Sequence, residues 1–282
     1  MERVMCPPTY FDVEYSINPW MDVNDKVDHD LAMAQWSDLV ELLESLGDTI
    51  SIIEAQPGLP DMTFAGDAGL LWGRRFVPST FRHVERAGEV VHFERWFRQR
   101  GYEIRPLPRE VIFEGLGDVV FQHRRAFVGH GCSRSDERAV EHLARLIPGL
   151  EVLGRLETVD DHYFHLAMAL GFIDDATVVY YEPAFTAESA RTIRRVIPRA
   201  IRVSDEDANS YFACNNLVLD DKVLLDMCTP ELRAALGKAG YDVITCPMSE
   251  FKKSGGSLRC LVLTAMGQEA PDARPRRQQC LP

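Results

Sequence analysis

Apolar and polar positions along this chain fall into short runs that recur in one order. Between residues 213 and 247, ACNNLVLDDKVLLDMC reads as two short strands about an Asp-Asp turn, TPELRAALGKAG as a helix and YDVITCP as a third strand. Thr229 is placed to cap that helix with Pro230 at its first position. Leu232, Ala235 and Leu236 follow at helical spacing, and Gly240 ends the run. The same order of hairpin, helix and strand is read from MTFAGDAGLLWGRRFVPS through the amphipathic EVVHFERWFRQRG to YEIRPLP. It is read again from FEGLGDVVFQHRRAFVGHG through SDERAVEHLARLIPG to LEVLGRLETV, and from YFHLAMALGFIDDATVVYYEPAF through AESARTIRRVIP to AIRVSD. A fifth unit closes when the C-terminal SLRCLVLTAM is combined with the N-terminal MERVMCPP and a helix near residues 30 to 46.

A repeat that joins the two ends of a chain marks a circular array. The expected fold is therefore α/β, a five-bladed α/β propeller of ββαβ modules. A doubly wound sheet is the generic alternative, but a hairpin before each helix argues against all-parallel strands. Residues 1–266 read as a single catalytic domain, although a length of 282 residues also allows two. Residues 267–282 lack periodicity and read as a flexible tail.

Composition then narrows the field. With 46% hydrophobic and 26% charged residues the chain has material for a large core and a charged surface. The N-terminus shows no basic segment followed by an apolar run, and no stretch approaches the ~20 apolar residues of a membrane span, so a cytoplasmic protein is expected. Seven cysteines are scattered singly with no CxxC pair, which suits a reducing compartment and argues against a structural zinc site. A formal charge of −12 opposes nucleic acid and favours a small cationic partner. A homodimer is compatible with such a chain.

Three residues stand out chemically. Cys260 follows a Ser-Gly-Gly segment and opens an apolar run, where it reads as a cysteine at the start of a strand with its sulfur aimed into a cavity; a small core residue is the plain alternative. His165 lies three residues after His162, and on a strand the two rings point to opposite faces, so they cannot share a metal. Glu114 opens the Gly-rich EGLGDVVF, with Asp118 four residues on; turn chemistry alone would also explain both. Their distribution over different modules would let them converge on one axis.

INPWM, MTFAGDAGLL, FRHVER with HFERWF, FEGLGD, YFHL and SGGSLRCLVL, in this order, resemble the guanidino-group-modifying enzymes of the pentein fold, from the first strand to about Ala265. That family includes arginine deiminases, amidinotransferases and dimethylarginine dimethylaminohydrolases. The resemblance implies Cys260 as nucleophile, His165 as general acid/base and Glu114 as the carboxylate that holds the guanidinium and supports proton transfer. It implies that Asp67 pairs with the substrate guanidinium, and that Arg134 and Arg82 bind the α-carboxylate. Such chemistry requires neither metal nor organic cofactor.

Arginine deiminases carry HxD where this chain reads His165-Leu166-Ala167. A dimethylated nitrogen has no proton to donate, so a small apolar residue suits it better than a carboxylate. The resemblance is therefore nearest to a dimethylarginine dimethylaminohydrolase. An arginine deiminase or arginine dihydrolase is the first alternative, and a non-catalytic binding protein on a pentein scaffold the second. Residues 18–25, NPWMDVND, mix turn formers with Trp20 and Met21 and read as a lid or as a loop packed into the core.

Overall fold

A computed structural model describes residues 1–132 and 134–266; the tail expected at 267–282 lies outside the described residues. The chain runs β1 (Glu2–Met5), α1 (His29–Ser45) and β2 (Thr49–Ile52), then four hairpin-led units. These are β3 (Gly69–Trp72), β4 (Arg75–Pro78), α2 (Val90–Gln99) and β5 (Glu103–Ile104), followed by β6 (Val119–Gln122), β7 (Arg125–Gly131), α3 (Ala139–Leu146) and β8 (Glu151–Thr158). Next come β9 (Leu170–Asp174), β10 (Thr177–Tyr180), α4 (Ala187–Val196) and β11 (Arg199–Arg202), and then β12 (Leu217–Leu219), β13 (Lys222–Leu225), α5 (Pro230–Lys238) and β14 (Asp242–Thr245). The last described element is β15 (Leu263–Met266).

Every unit pairs its strands alike. The first two run antiparallel and the third, returning from the helix, lies parallel to the second, as in β12–β13 and β13–β14. The chain ends complete the same pattern: β15 pairs antiparallel with β1, and β1 parallel with β2. A parallel β15–β3 pairing joins this unit to the next in one six-stranded sheet, and the other three units remain separate three-stranded sheets. The architecture is mixed α/β rather than doubly wound.

Local chemistry explains the helices. Thr229 accepts from the Leu232 amide and Pro230 occupies the first turn of α5, while Gly240, at φ +92°, takes the left-handed conformation that stops it. In α2 the apolar face Phe93, Trp96 and Phe97 is buried, and Phe97 stacks on Phe76 of β4 at 4.3 Å. Each such ring removed from water stabilises the unit by about 1.5–3 kcal/mol. No helix among the described residues is long and apolar enough to cross a membrane.

Candidate active site

The turns that lead into the five opening strands carry the polar side chains of the site. Asp67 precedes β3, Glu114 precedes β6, His165 precedes β9, Asn215 precedes β12 and Cys260 precedes β15. Two local expectations change here. His165 and Cys260 lie on turns, not strands, because 3-10-type bonds such as Met168 N–H to His165 O and Cys260 N–H to Ser257 O curl the backbone first. His162 is turned to solvent and pairs with Asp160, whereas His165 is fully buried.

Glu114 is the hub. Its Oε2 lies 2.9 Å from His165 Nε2 and 3.3 Å from an Arg134 Nη, and its Oε1 accepts from the Arg82 amide at 2.8 Å. Burial alone would raise its pKa, but the hydrogen bond from His165 and the Arg134 charge outweigh burial and hold it at about 2. For His165, burial opposes the charged ring, yet Asp67, Glu114 and Asp118 together raise its pKa. Both shifts favour the imidazolium–carboxylate form of the pair. Gly117 makes this approach feasible: a Cβ there would sit 2.8 Å from the imidazole. Asp118 ties down both partners' turns, accepting from the Ser135 and Leu166 amides.

Cys260 is 4% exposed. Burial and the nearby Asp67 carboxylate push its thiol up to about 12, against the lowering influence of Asn215 and Arg259. Asn215 reaches the sulfur directly, with Nδ2 3.2 Å from Sγ. Sequence reading passed over Asn215, although its place before the fourth hairpin matches that of the other four.

Asp67, His165, Cys260, Arg134, Asp61 and Arg86 line one cavity of about 260 Å³, open solvent at its mouth included, together with Phe64 and Phe164. Asp67 Oδ1 lies 3.7 Å from His165 Nδ1. Both of these atoms, and Asp61 Oδ1, are buried without a hydrogen-bond partner. The two unpaired carboxylate oxygens call for a hydrogen-bond donor.

Arg82, expected at the α-carboxylate, is not among the residues that line the cavity. Its guanidinium donates to the Arg134 carbonyl from Nε and Nη2, which turns it away from the cavity. Arg86, four residues on and one helical turn away, faces the cavity instead and binds Asp67 Oδ2 at 2.8 Å. Glu89 grips Arg86 through both oxygens, so the residue before α2 spends its carboxylate on this arginine rather than on capping the helix. Ala167 packs in the core behind His165 and is absent from the cavity wall; it offers only its carbonyl, to Asn215.

Asn18, which opens the loop at 18–25, lines the cavity. Asn18 donates to Ser254 O, Trp20 Nε1 to His162 O, and Arg134 to Ile17 O. Trp20 also packs edge-on against Phe212.

Repeated strand–strand–helix–strand units that bring a cysteine, a histidine and carboxylates to one enclosed pocket define the guanidino-group-modifying class of penteins. The model of the family described as "N,N dimethylarginine dimethylhydrolase, eukaryotic" matches residues 9–266. The N(G),N(G)-dimethylarginine dimethylaminohydrolase of Mycobacterium tuberculosis is 37% identical over 92% of this chain and 84% of its own. The bifunctional arginine dihydrolase/ornithine cyclodeaminase ArgZ of Synechocystis sp. is 34% identical over 95% of this chain, which spans only 38% of ArgZ. The N-terminal domain of ArgZ bound to product, an arginine dihydrolase domain from cyanobacteria, superposes with a TM-score of 0.88 at 33% identity, covering 95% of this chain and 99% of that domain. This chain belongs to the dimethylarginine dimethylaminohydrolase family of guanidino-modifying penteins.

Proposed function

We propose that this protein hydrolyses the guanidinium C–N bond of methylated arginine, giving citrulline and dimethylamine or methylamine. The observation that carries the reading is that Cys260, His165 and Asp67 line one cavity, with Glu114 held 2.9 Å from His165 behind it. The five units, in this reading, surround a common axis as the blades of a propeller, with the turns before β3, β6, β9, β12 and β15 at its mouth.

The charges dictate the order of events. Burial keeps the thiol protonated and the surrounding carboxylates favour a protonated His165, so in this reading His165 is not the base that ionises Cys260. A guanidinium bound on Asp67 and Asp61 cancels the carboxylate repulsion, and the thiol proton is lost to solvent. The thiolate attacks the guanidinium carbon. His165, through the Nδ1 that Glu114 leaves free, passes its proton to the departing amine, and the carbon–nitrogen bond breaks to leave a thiouronium on Cys260. Water then attacks that carbon and gives one proton to His165, its second proton passes to solvent, and the carbon–sulfur bond breaks to release the neutral ureido product and restore the thiolate. Arg86 and Arg134 are the cationic pair for the α-carboxylate. Loop 18–25 serves as the lid.

Methylated substrate is favoured because Phe64 and Phe164 offer a nitrogen stripped of protons an apolar wall. Arginine hydrolysis is the second reading, supported by the likeness to the arginine dihydrolase domain of ArgZ. Incubation with arginine, monomethylarginine and asymmetric dimethylarginine, measuring citrulline, ornithine, ammonia and free amine, tests both. Failure to release amine from any of the three refutes the hydrolase reading.

A further inference from the structure

We propose that Asn215 is a catalytic residue of this site, a fixed amide donor that stabilises the Cys260 thiolate from behind the cavity. The inference rests on the hydrolase reading above and adds to it a residue that touches the reacting sulfur.

The orientation of the Asn215 amide is imposed by its neighbours. Its Oδ1 accepts the Arg259 amide at 2.9 Å and the Cys260 amide at 3.3 Å, and only an oxygen can receive two N–H groups. The Nδ2 must therefore face the other way, where it meets Cys260 Sγ at 3.2 Å and the Ala167 carbonyl at 3.3 Å. These are the two near acceptors for its two protons, with Met168 Sδ a longer contact at 3.9 Å. Asn215 is fully buried, so neither bond competes with water.

This placement answers a difficulty in the chemistry. The groups around Cys260 are mixed in sign: Asp67 opposes a thiolate and Arg259 favours one, with Asp61, His165, Arg86 and Arg134 lining the same cavity. The acidic pair is needed to hold a guanidinium and cannot be dispensed with. A neutral donor on the sulfur favours the anion without repelling the cationic substrate, which a lysine or arginine at the same point would do. A hydrogen bond to an ionised acceptor is also about twice as strong as one to a neutral acceptor, so the Asn215 contact gains strength as the proton leaves.

The test uses the full-length protein and reads the thiol itself. The rate of Cys260 alkylation by iodoacetamide, followed by peptide mass spectrometry at fixed pH below the thiol's titration, tracks the thiolate fraction. In Asn215→Ala it should fall by about 10–100-fold, the equivalent of a rise of about one to two units in thiol pKa. The acid limb of kcat/KM should move up by the same interval. Asn215→Asp keeps the acceptor for the two backbone amides and puts a carboxylate against the sulfur, so it serves if the alanine variant does not fold, and it should slow alkylation at least as much. Loosening of the turn acts in the opposite direction, because it exposes Cys260 and speeds alkylation. Unchanged or faster alkylation in a folded variant overturns the proposal. Alkylation is read without substrate, so loss of the hydrolase reading would show as absent wild-type turnover with the alkylation difference intact.

Discussion

Replacing Glu114 by Gln keeps the volume of the hub and removes its charge. Three donors converge on that carboxylate: His165 Nε2, an Arg134 Nη and the Arg82 amide. A glutamine has one acceptor oxygen, so its amide hydrogens must meet at least one donor head-on. The carboxyl group titrates at about 2 in the folded protein against an ordinary 4.5. At about 1.4 kcal/mol per pH unit, that gap is worth about 3 kcal/mol of stability at neutral pH. The sign follows from the direction of the shift. A depressed carboxylate stabilises the fold fully above its ordinary value and loses that share as pH falls from about 4.5 to about 2. The variant should lack this acid-dependent loss and unfold at a lower urea midpoint at pH 7. His165 behaves oppositely: its raised pKa stabilises the fold below its ordinary value and is lost as pH rises through the elevated one. Losing the Glu114 bond should draw His165 back toward its ordinary value. Since His165 must be protonated to expel the amine, the basic limb of the kcat profile should move down. Amine release measured from pH 5 to 10, with urea melts at pH 3 and 7, gives both numbers. An unmoved basic limb together with unchanged stability at pH 7 would refute the account of Glu114 as the charge that sets His165.

Cys260→Ser should abolish turnover while thermal unfolding stays within a few degrees of wild type, because a serine hydroxyl is too weakly acidic to ionise in surroundings that already push a thiol to about 12; measurable turnover would remove the nucleophile. Arg86→Ala should raise KM by about 10-fold or more, since it removes a charge-assisted contact, whereas Arg82→Ala should change KM less, its guanidinium being spent on the Arg134 carbonyl; equal effects in steady-state assays would contradict the exchange of Arg82 for Arg86. Ala167→Asp should depress turnover of arginine and dimethylarginine by similar factors, since the new carboxylate would be buried behind His165 away from the substrate; a selective gain for arginine would return Ala167 to the cavity wall.

The repeat of hairpin, helix and strand was readable because each rule behind it is local. Binary patterning, the Thr229 cap with Pro230 and the stop at Gly240 depend on neighbours a few residues away, and α5 forms between the residues those signals mark. The glycines of FEGLGD and SGGSLRC likewise mark close backbone approach by their own chemistry, and a Cβ at Gly117 would fall 2.8 Å from the His165 ring. Which arginine reaches the cavity is a different kind of question. Arg82 and Arg86 share one short stretch and one charge, and only the placement of the Arg134 carbonyl, Asp67 and Glu89 from distant segments decides that the first turns away and the second turns in. Asn215 carries no charge and no striking neighbours in sequence; it gains its meaning from the convergence of two turns that brings Cys260 Sγ within 3.2 Å. Ala167 shows the reverse, a position whose identity invites a substrate argument and whose side chain the packing directs into the core. Sequence pattern decided the elements, since their energetics are short-range; the contacts that tune the charges belong to residues far apart in the chain, and only the closure of the fold brings those together.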